Sequence, residues 1–282
     1  MGRPDMASEL TKRPDAKAPA STWKTALTHI EANKVLVRGY PLDEMMGRVG
    51  FGDAIYLLLV GELPTQSVSR MISAILVSSV DHGAMPPSTQ VSRNVATTGA
   101  PLRAAVAAGV LSFGTYHGGD VEACMDLLDA GLALVREGKS YQDAAREMVQ
   151  RKIDAGERVP GLGHRLHTHD PRASKLLQMA YELDIEGEHI RLMRVVDKAL
   201  EEALGPDHPR VHVNVDGAIA AICGDIGLDH ELGNALFIIS RVPGLIAHAH
   251  EEKLRERPMR QIDPKNHEYD GPPERRLPQT RK

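Results

Sequence analysis

Val121-Glu-Ala-Cys-Met-Asp-Leu-Leu-Asp-Ala-Gly-Leu132 carries apolar side chains at Val121, Cys124, Met125, Leu128 and Leu132, one stripe at the spacing of an amphipathic helix. The same pattern recurs on either side of it. Val68, Met71, Ile72, Ile75 and Leu76 form one such stripe, and Leu192, Val195, Val196, Ala199 and Leu200 form another. The punctuation agrees: Ser140 with Asp143 reads as a capping pair, Pro101 suits a first helical turn, and Gly205-Pro206 is a stop. Only Leu36 to Tyr40 and Val211 to Val215 alternate like strands, and both are too short for a sheet of consequence. From Ser21 onward the period is helical almost everywhere, which predicts an all-α fold. Breaks fall at Gly61–Pro64, Gly83–Pro87 and Gly114–Gly119, and the longest interior one runs from Val159 to Pro171.

Composition supports helices. Aromatic residues make up 4% of the 282 positions, so the core must be built from Leu, Ile, Val, Ala and the 11 Met. Such residues mostly favour helices, and an all-β fold is unlikely on that ground alone. The length suits about two domains of roughly 150 residues or one large helical unit. A formal charge of −4 argues against global attraction to nucleic acid or to an anionic membrane. The two cysteines, Cys124 and Cys223, have neither CxxC nor zinc spacing and fit buried thiols in a reducing compartment. The basic N-terminus lacks an apolar segment behind it, and no stretch approaches the length of a membrane span. These features predict a soluble cytoplasmic protein whose residues 1–21 form a flexible tail.

Three histidines lie in turns: His82 before Gly83, His117 before Gly118-Gly119, and His164 after Gly161-Leu-Gly163. Each alone fits a loop residue without a task. Loops are nevertheless where catalytic groups are commonly held, and His exchanges protons near neutral pH. Asp216, in Asn214-Val-Asp216-Gly-Ala, sits at the edge of an apolar run, where desolvation makes a carboxylate a better base. The competing reading is an N-cap that opens a helix from Gly217 to Cys223.

Together these segments resemble the citrate synthase superfamily, over about Val35 to Gly271. Leu36-Val-Arg-Gly-Tyr40 and Tyr56-Leu-Leu-Leu-Val-Gly-Glu-Leu-Pro64 resemble its N-terminal opening. Asp81-His82, His117-Gly-Gly with Glu122, and Gly161-Leu-Gly-His164-Arg with Asp170-Pro-Arg172 resemble its histidine motifs in order. Asn214-Val-Asp216 resembles its aspartate motif; Ser240-Arg241 through His248, then Arg257-Pro-Met-Arg260-Gln261, resemble its terminal arginine motifs.

The resemblance implies a helical homodimer with the site in a cleft between domains. Residues 22–117 and 236–282 would form the large domain and 118–235 the small one. It further implies acid–base chemistry on a coenzyme A thioester, with no tightly bound cofactor and no metal. In the condensing direction Asp216 would deprotonate the acetyl-CoA methyl group, His117 would hydrogen-bond the thioester carbonyl, and His164 would protonate oxaloacetate. In the cleaving direction His164 would take the hydroxyl proton of citryl-CoA. His82, Arg172 and Arg241 would bind the carboxylates, with Arg257 reaching in from a partner subunit. Guanidinium forks suit this task because they stay charged and bind bidentately. Pro160, Gly161, Leu162 and Gly163, with Arg260, would grip coenzyme A.

The chain is short for a citrate synthase, and the His164–Arg172 interval is one residue tighter than in the usual motif, with His167 and His169 filling it. Compact members resemble citryl-CoA lyases, which split citryl-CoA into acetyl-CoA and oxaloacetate. A citrate or 2-methylcitrate synthase is the alternative. Two other classes stand further off. A non-catalytic paralogue would have lost an acid or a base, whereas His117, His164 and Asp216 all remain. A metal protein is suggested by His167/His169, His208/His212 and His248/His250, but Pro209 breaks the one helical spacing among them.

Overall fold

The computed structural model describes residues 24–118, 120–164 and 167–277. The expected tail at 1–21 lies outside them. The chain divides into two compact units, Met1–Leu63 and Pro64–Lys282. That break falls inside the 22–117 stretch which the family resemblance places in a single domain.

The first unit holds a three-stranded antiparallel meander, β1 (Thr28–Glu31), β2 (Lys34–Val37) and β3 (Tyr40–Pro41), then α1 (Leu42–Met45) and α2 (Phe51–Val60). Helical periodicity therefore does not extend back to Ser21. The strand expected from Leu36 to Tyr40 is two strands, because Arg38 (φ 49°) and Gly39 (φ 88°) adopt left-handed backbone and turn the chain between them. The Arg38 guanidinium donates to the Leu58 carbonyl at 2.8 Å, satisfying one of the last carbonyls of α2. The helix then stops at Gly61, also left-handed, whose N–H donates to the Leu57 carbonyl at 2.8 Å.

The second unit is helical: α3 (Gln66–Ser78), α4 (Pro87–Ala96), α5 (Leu102–Leu111), α6 (Asp120–Arg136), α7 (Tyr141–Asp154), α8 (Pro171–Glu182), α9 (Glu188–Leu204), α10 (Val215–Asp225) and α11 (His230–Arg255). The three stripes read from sequence fall on α3, α6 and α9, and all but Val68, Leu76 and Val195 are buried. Ser140 caps α7 by accepting from the Asp143 N–H at 3.1 Å, and Gly205 ends α9. Pro101 is the N-cap of α5, one position before the first turn expected for it.

Two helices organise the packing. The long α11 lies against α3, α4, α5 and α6, while α10 lies against α6, α8, α9 and α11. Every residue of α10 from Gly217 to Cys223 is buried. Its Gly-Ala-Ile-Ala-Ala-Ile composition keeps the helix thin, so neighbours approach from all sides. Leu128, Leu132, Leu192, Ile219 and Ile222 are essentially solvent-free, each worth about 1.5–3 kcal/mol of apolar transfer. This is how a core with few rings is filled.

Two expectations need correction here. Val211 to Val215 is no strand: Val213 makes one isolated bridge to Leu162, and Asn214 then turns the chain into α10 by accepting from the N–H groups of Asp216 (2.9 Å) and Gly217 (3.1 Å). And α11 is long and apolar enough to cross a membrane by length and composition, contrary to the sequence reading. It nevertheless buries Ser240, Arg241 and Glu252 among other helices, as a core helix does.

Candidate active site

The site is assembled by a backbone clamp between the 159–164 loop and the chain entering α10. The Gly163 N–H donates to the His212 carbonyl at 2.8 Å, and the Asn214 N–H donates to the Gly161 carbonyl at 3.0 Å. The Asn214 side-chain amide adds a third bond, to the Gly163 carbonyl at 2.7 Å. Gly161 (φ 79°) is compulsory: a Cβ there would lie 2.6 Å from Cys124 Sγ and 2.7 Å from Gly217 Cα. Its small size thus serves contact with α6 and α10. The clamp brings His164 and Asp216, 52 positions apart in sequence numbering, onto one wall.

Asp216 is the second residue of α10, with Asn214 as the cap. That removes the N-cap reading and frees its carboxylate for chemistry. Its Oδ1 is buried without a hydrogen-bond partner. Burial, then the charge of Asp120, push the carboxyl up to about 6, against the pull of Arg172 and Arg241.

His117 lies in a tight turn closed by paired backbone bonds with Gly114, both 2.9 Å. Its ring stacks on Phe113 with centroids 5.1 Å apart. Nε2 accepts the Ser88 backbone N–H at 3.3 Å and lies 2.8 Å from Ser88 Oγ. A backbone N–H can only donate, so the neutral ring carries its proton on Nδ1.

His164 meets His82 edge-on, with centroids 5.4 Å apart, and stacks on His167 at 4.5 Å. The His167 N–H donates to His164 Nδ1 at 3.1 Å. Burial, followed by His167 and Arg172, lowers the His164 pKa below the ordinary imidazole value, with Asp170 opposing. Burial and the charges of Arg172 and Arg241 do the same to His82. Both rings therefore rest neutral near pH 7.

Of the three arginines lining the cavity, two are held firmly. Arg172 forks onto buried Asp170. Arg241, itself buried, donates from Nε to the Ser79 carbonyl at 2.8 Å and lies 5.0 Å over the Phe237 ring. His82, His117, His164, Arg172, Asp216 and Arg241 all line one cavity of about 900 Å³. Leu162 and Gly163 also line it; Pro160 and Gly161 do not.

Arg257 and Arg260 lie outside this cavity. The Arg257 carbonyl accepts from Thr97 Oγ1 at 3.3 Å, and Arg260 binds the buried Glu252 carboxylate through Nε (2.9 Å) and Nη2 (2.6 Å), beside Arg93. In this chain Arg260 is an anchor for the segment after α11. Three of the paired histidines bond elsewhere: His212 to Asp197, His248 to Asp81, and His208 to the Pro209 carbonyl. Among the described residues no three His, Cys, Asp or Glu side chains form a ligand set. Cys124 and Cys223 are buried thiols whose pKa burial pushes up.

Sequence reasoning missed Ser88, Asp120 and Phe237. Asp120 had a signal, as an acid opening a helix directly after the His117 turn. Ser88 had none, since its backbone N–H does the work.

The family model described as citrate synthase, C-terminal domain, matches residues 65–262. The chain belongs to the citrate synthase family. Among citrate synthase family members, it is 30% identical over 204 residues to the citrate/2-methylcitrate synthase of Bacillus subtilis, covering 71% of this chain and 52% of that one. It thus spans about half the length of the curated relatives it matches. A solved structure of citryl-CoA lyase from Hydrogenobacter thermophilus is 41% identical, with a TM-score of 0.83, covering 92% of this chain and 98% of that chain. Citrate synthase from Thermoplasma acidophilum, solved with carboxymethyl coenzyme A and oxaloacetate, shares the fold at 23% identity and a TM-score of 0.65, over 81% of this chain and 59% of that one.

Proposed function

We propose that this chain cleaves citryl-CoA to acetyl-CoA and oxaloacetate. The observation that carries the reading is the mutual, nearly end-to-end similarity to a citryl-CoA lyase at 41% identity. The curated citrate synthase relatives are covered over about half their length. The coenzyme A thioester is a substrate, and no resident cofactor or metal is invoked.

In the proposed reaction His82, Arg172 and Arg241 hold the carboxylates of the citryl group. His164 takes the hydroxyl proton as the carbon–carbon bond opens. Because its Nδ1 receives the His167 N–H at rest, this step requires that hydrogen bond to open. Electrons flow to the thioester oxygen, where His117 Nδ1–H stabilises the developing charge. Asp216 then protonates the terminal carbon, and acetyl-CoA leaves. Val159 to His164 would contact coenzyme A through Leu162 and Gly163. Arg257 would serve the site of a second copy in a cytoplasmic homodimer, and the cleft would separate 118–235 from the larger domain.

The second reading, a citrate or 2-methylcitrate synthase, is favoured by the Bacillus subtilis relative. One experiment separates the two. Citryl-CoA is supplied alone, and oxaloacetate with acetyl-CoA separately, while free thiol and oxaloacetate are followed. Oxaloacetate released from citryl-CoA without free thiol supports the lyase. Free thiol with citrate supports the synthase, and neither product removes both.

A further inference from the structure

The cavity holds a carboxylate that the proposed reaction does not use. Asp120 opens α6 and lines the same cavity as Asp216. Its position relative to Asp216 follows from packing. The space that a Gly161 Cβ would occupy is bounded by Cys124 Sγ of α6 and Gly217 Cα of α10, at 2.6 and 2.7 Å. Helices α6 and α10 pack against each other, with Gly161 wedged between Cys124 and Gly217. Asp120 stands one turn before Cys124, and Asp216 immediately precedes Gly217. Arg158, which lines the same cavity, has its Nη2 3.6 Å from Asp120 Oδ2, but this arginine is largely solvated and pairs weakly.

We infer that Asp120 is a positioning residue that raises the fraction of Asp216 held in the protonated form, the form able to protonate the leaving enol of citryl-CoA. The inference rests on the lyase reading and deepens it. The charged and titratable groups around Asp216 and its cavity are Asp120 from α6, Glu157 and Arg158 from the segment after α7, Asp170 and Arg172 from the start of α8, Arg241 from α11, and the imidazoles of His82, His117 and His164. Of the charges, Asp120 acts most strongly and opposes ionisation, whereas the two arginines favour it. A carboxyl at about 6 is protonated in about one molecule in ten at pH 7; at the ordinary 3.8 the figure is below about one in a thousand.

The direction of the effect matters because the two directions start from opposite forms. Condensation begins with Asp216 as carboxylate, taking a methyl proton. Cleavage begins with it as acid: the hydroxyl proton goes to His164, the carbon–carbon bond breaks, and the Asp216 proton goes to the carbon that becomes the methyl group. The His164 proton later reloads Asp216 through solvent, so no proton is gained or lost overall. A neighbouring carboxylate leaves the equilibrium of the reaction untouched and moves the pH at which each direction runs.

The test uses full-length protein and citryl-CoA. The pH dependence of kcat for cleavage is measured for wild type, Asp120→Asn, Asp120→Glu and Arg158→Gln. Asp120→Asn is expected to move the limb belonging to Asp216 down by half a unit or more and to slow cleavage at pH 7 at least about threefold. Asp120→Glu should restore the limb. Arg158→Gln, which strips Asp120 of its counter-charge, should move it up. A merely structural Asp120 would lower kcat at every pH with the limb in place, and that result overturns the inference. If Asp120→Asn fails to fold, the Arg158→Gln shift decides by its sign: no upward shift overturns it. Wild type inert toward citryl-CoA removes the lyase reading itself, and the inference with it.

Discussion

Asp170 receives the Arg172 guanidinium through Nε at 3.0 Å and Nη2 at 2.8 Å, while the Val215 N–H donates to the same carboxylate at 3.0 Å. One buried side chain thus fixes the start of α8 to the start of α10. Burial works to raise its pKa, but the Arg172 fork and the two backbone N–H groups hold it below the usual carboxylate value. Asp170→Ala strands a partly buried cation and a buried amide, so we expect a loss of about 3–5 kcal/mol in urea unfolding. In the surviving folded fraction, KM for citryl-CoA should rise, because Arg172 loses its orientation.

Asp216→Asn should lower turnover by at least about two orders of magnitude, since the proton donor and acceptor is removed. The same change should stabilise the fold. A carboxyl with a folded pKa of about 6 and an ordinary one of 3.8 costs stability that grows as pH rises through that interval, reaching at most about 3 kcal/mol at pH 7. Thermal melts at pH 7 should therefore show Asp216→Asn above wild type, with the gap closing near pH 4. Equal melting temperatures at both pH values would count against a buried, ionised Asp216.

Gly217→Ala tests the clamp. A Cβ at this position runs into the Gly161 carbonyl, which is backbone and cannot swing aside. Overpacking of this kind costs about 1–3 kcal/mol or more. Activity should fall further than stability accounts for, because the 161–164 segment must shift and take His164 with it.

A second titrating group lies away from the cavity. His189 sits between Asp225 (3.0 Å) and Asp129 (2.9 Å), and His230 between Asp126 (2.6 Å) and Asp129 (3.0 Å). The hydrogen bond to Asp225 leads in raising the His189 pKa; at His230, burial is outweighed by Asp126 and Asp129. Groups raised in this way stabilise the fold fully below about 6.5, and that stability is lost as pH climbs through the raised values. Asp225 and Asp129 are lowered despite burial, chiefly by His189, so their contribution disappears on acidification. The melting temperature should decline from pH 6 to pH 9, and His189→Asn should flatten that decline.

Much of this was legible because helix stripes are local. Val121 to Leu132 repeats an apolar residue on one face, and the face is buried in the fold as read. The meander was not, because its strands are two to four residues long and Arg38 takes left-handed backbone that glycine next to it more readily announces. At the site, His82, His117, His164, Asp216, Arg172 and Arg241 carried motif signatures and they meet in one cavity. Gly161 was visible as a glycine but its reason was tertiary: the atom it avoids belongs to Cys124, 37 positions earlier in numbering. Arg260 carried a signature too, yet Glu252 claims it, a pairing no spacing rule could separate from an ordinary helix-end charge.

The helix that presents Asp216 has no side facing water from Gly217 to Cys223. The Asp216 carboxyl is therefore carried by the same seven residues that pack among α6, α8 and α9. Inactivation by heat or urea should track global unfolding point for point, with no earlier phase in which the catalyst fades while the helices persist. Turnover becomes a reporter of the folded state, and substitutions that tune the chemistry are expected at less tightly packed positions such as Asp120 and Arg158, because the centre has no slack to give.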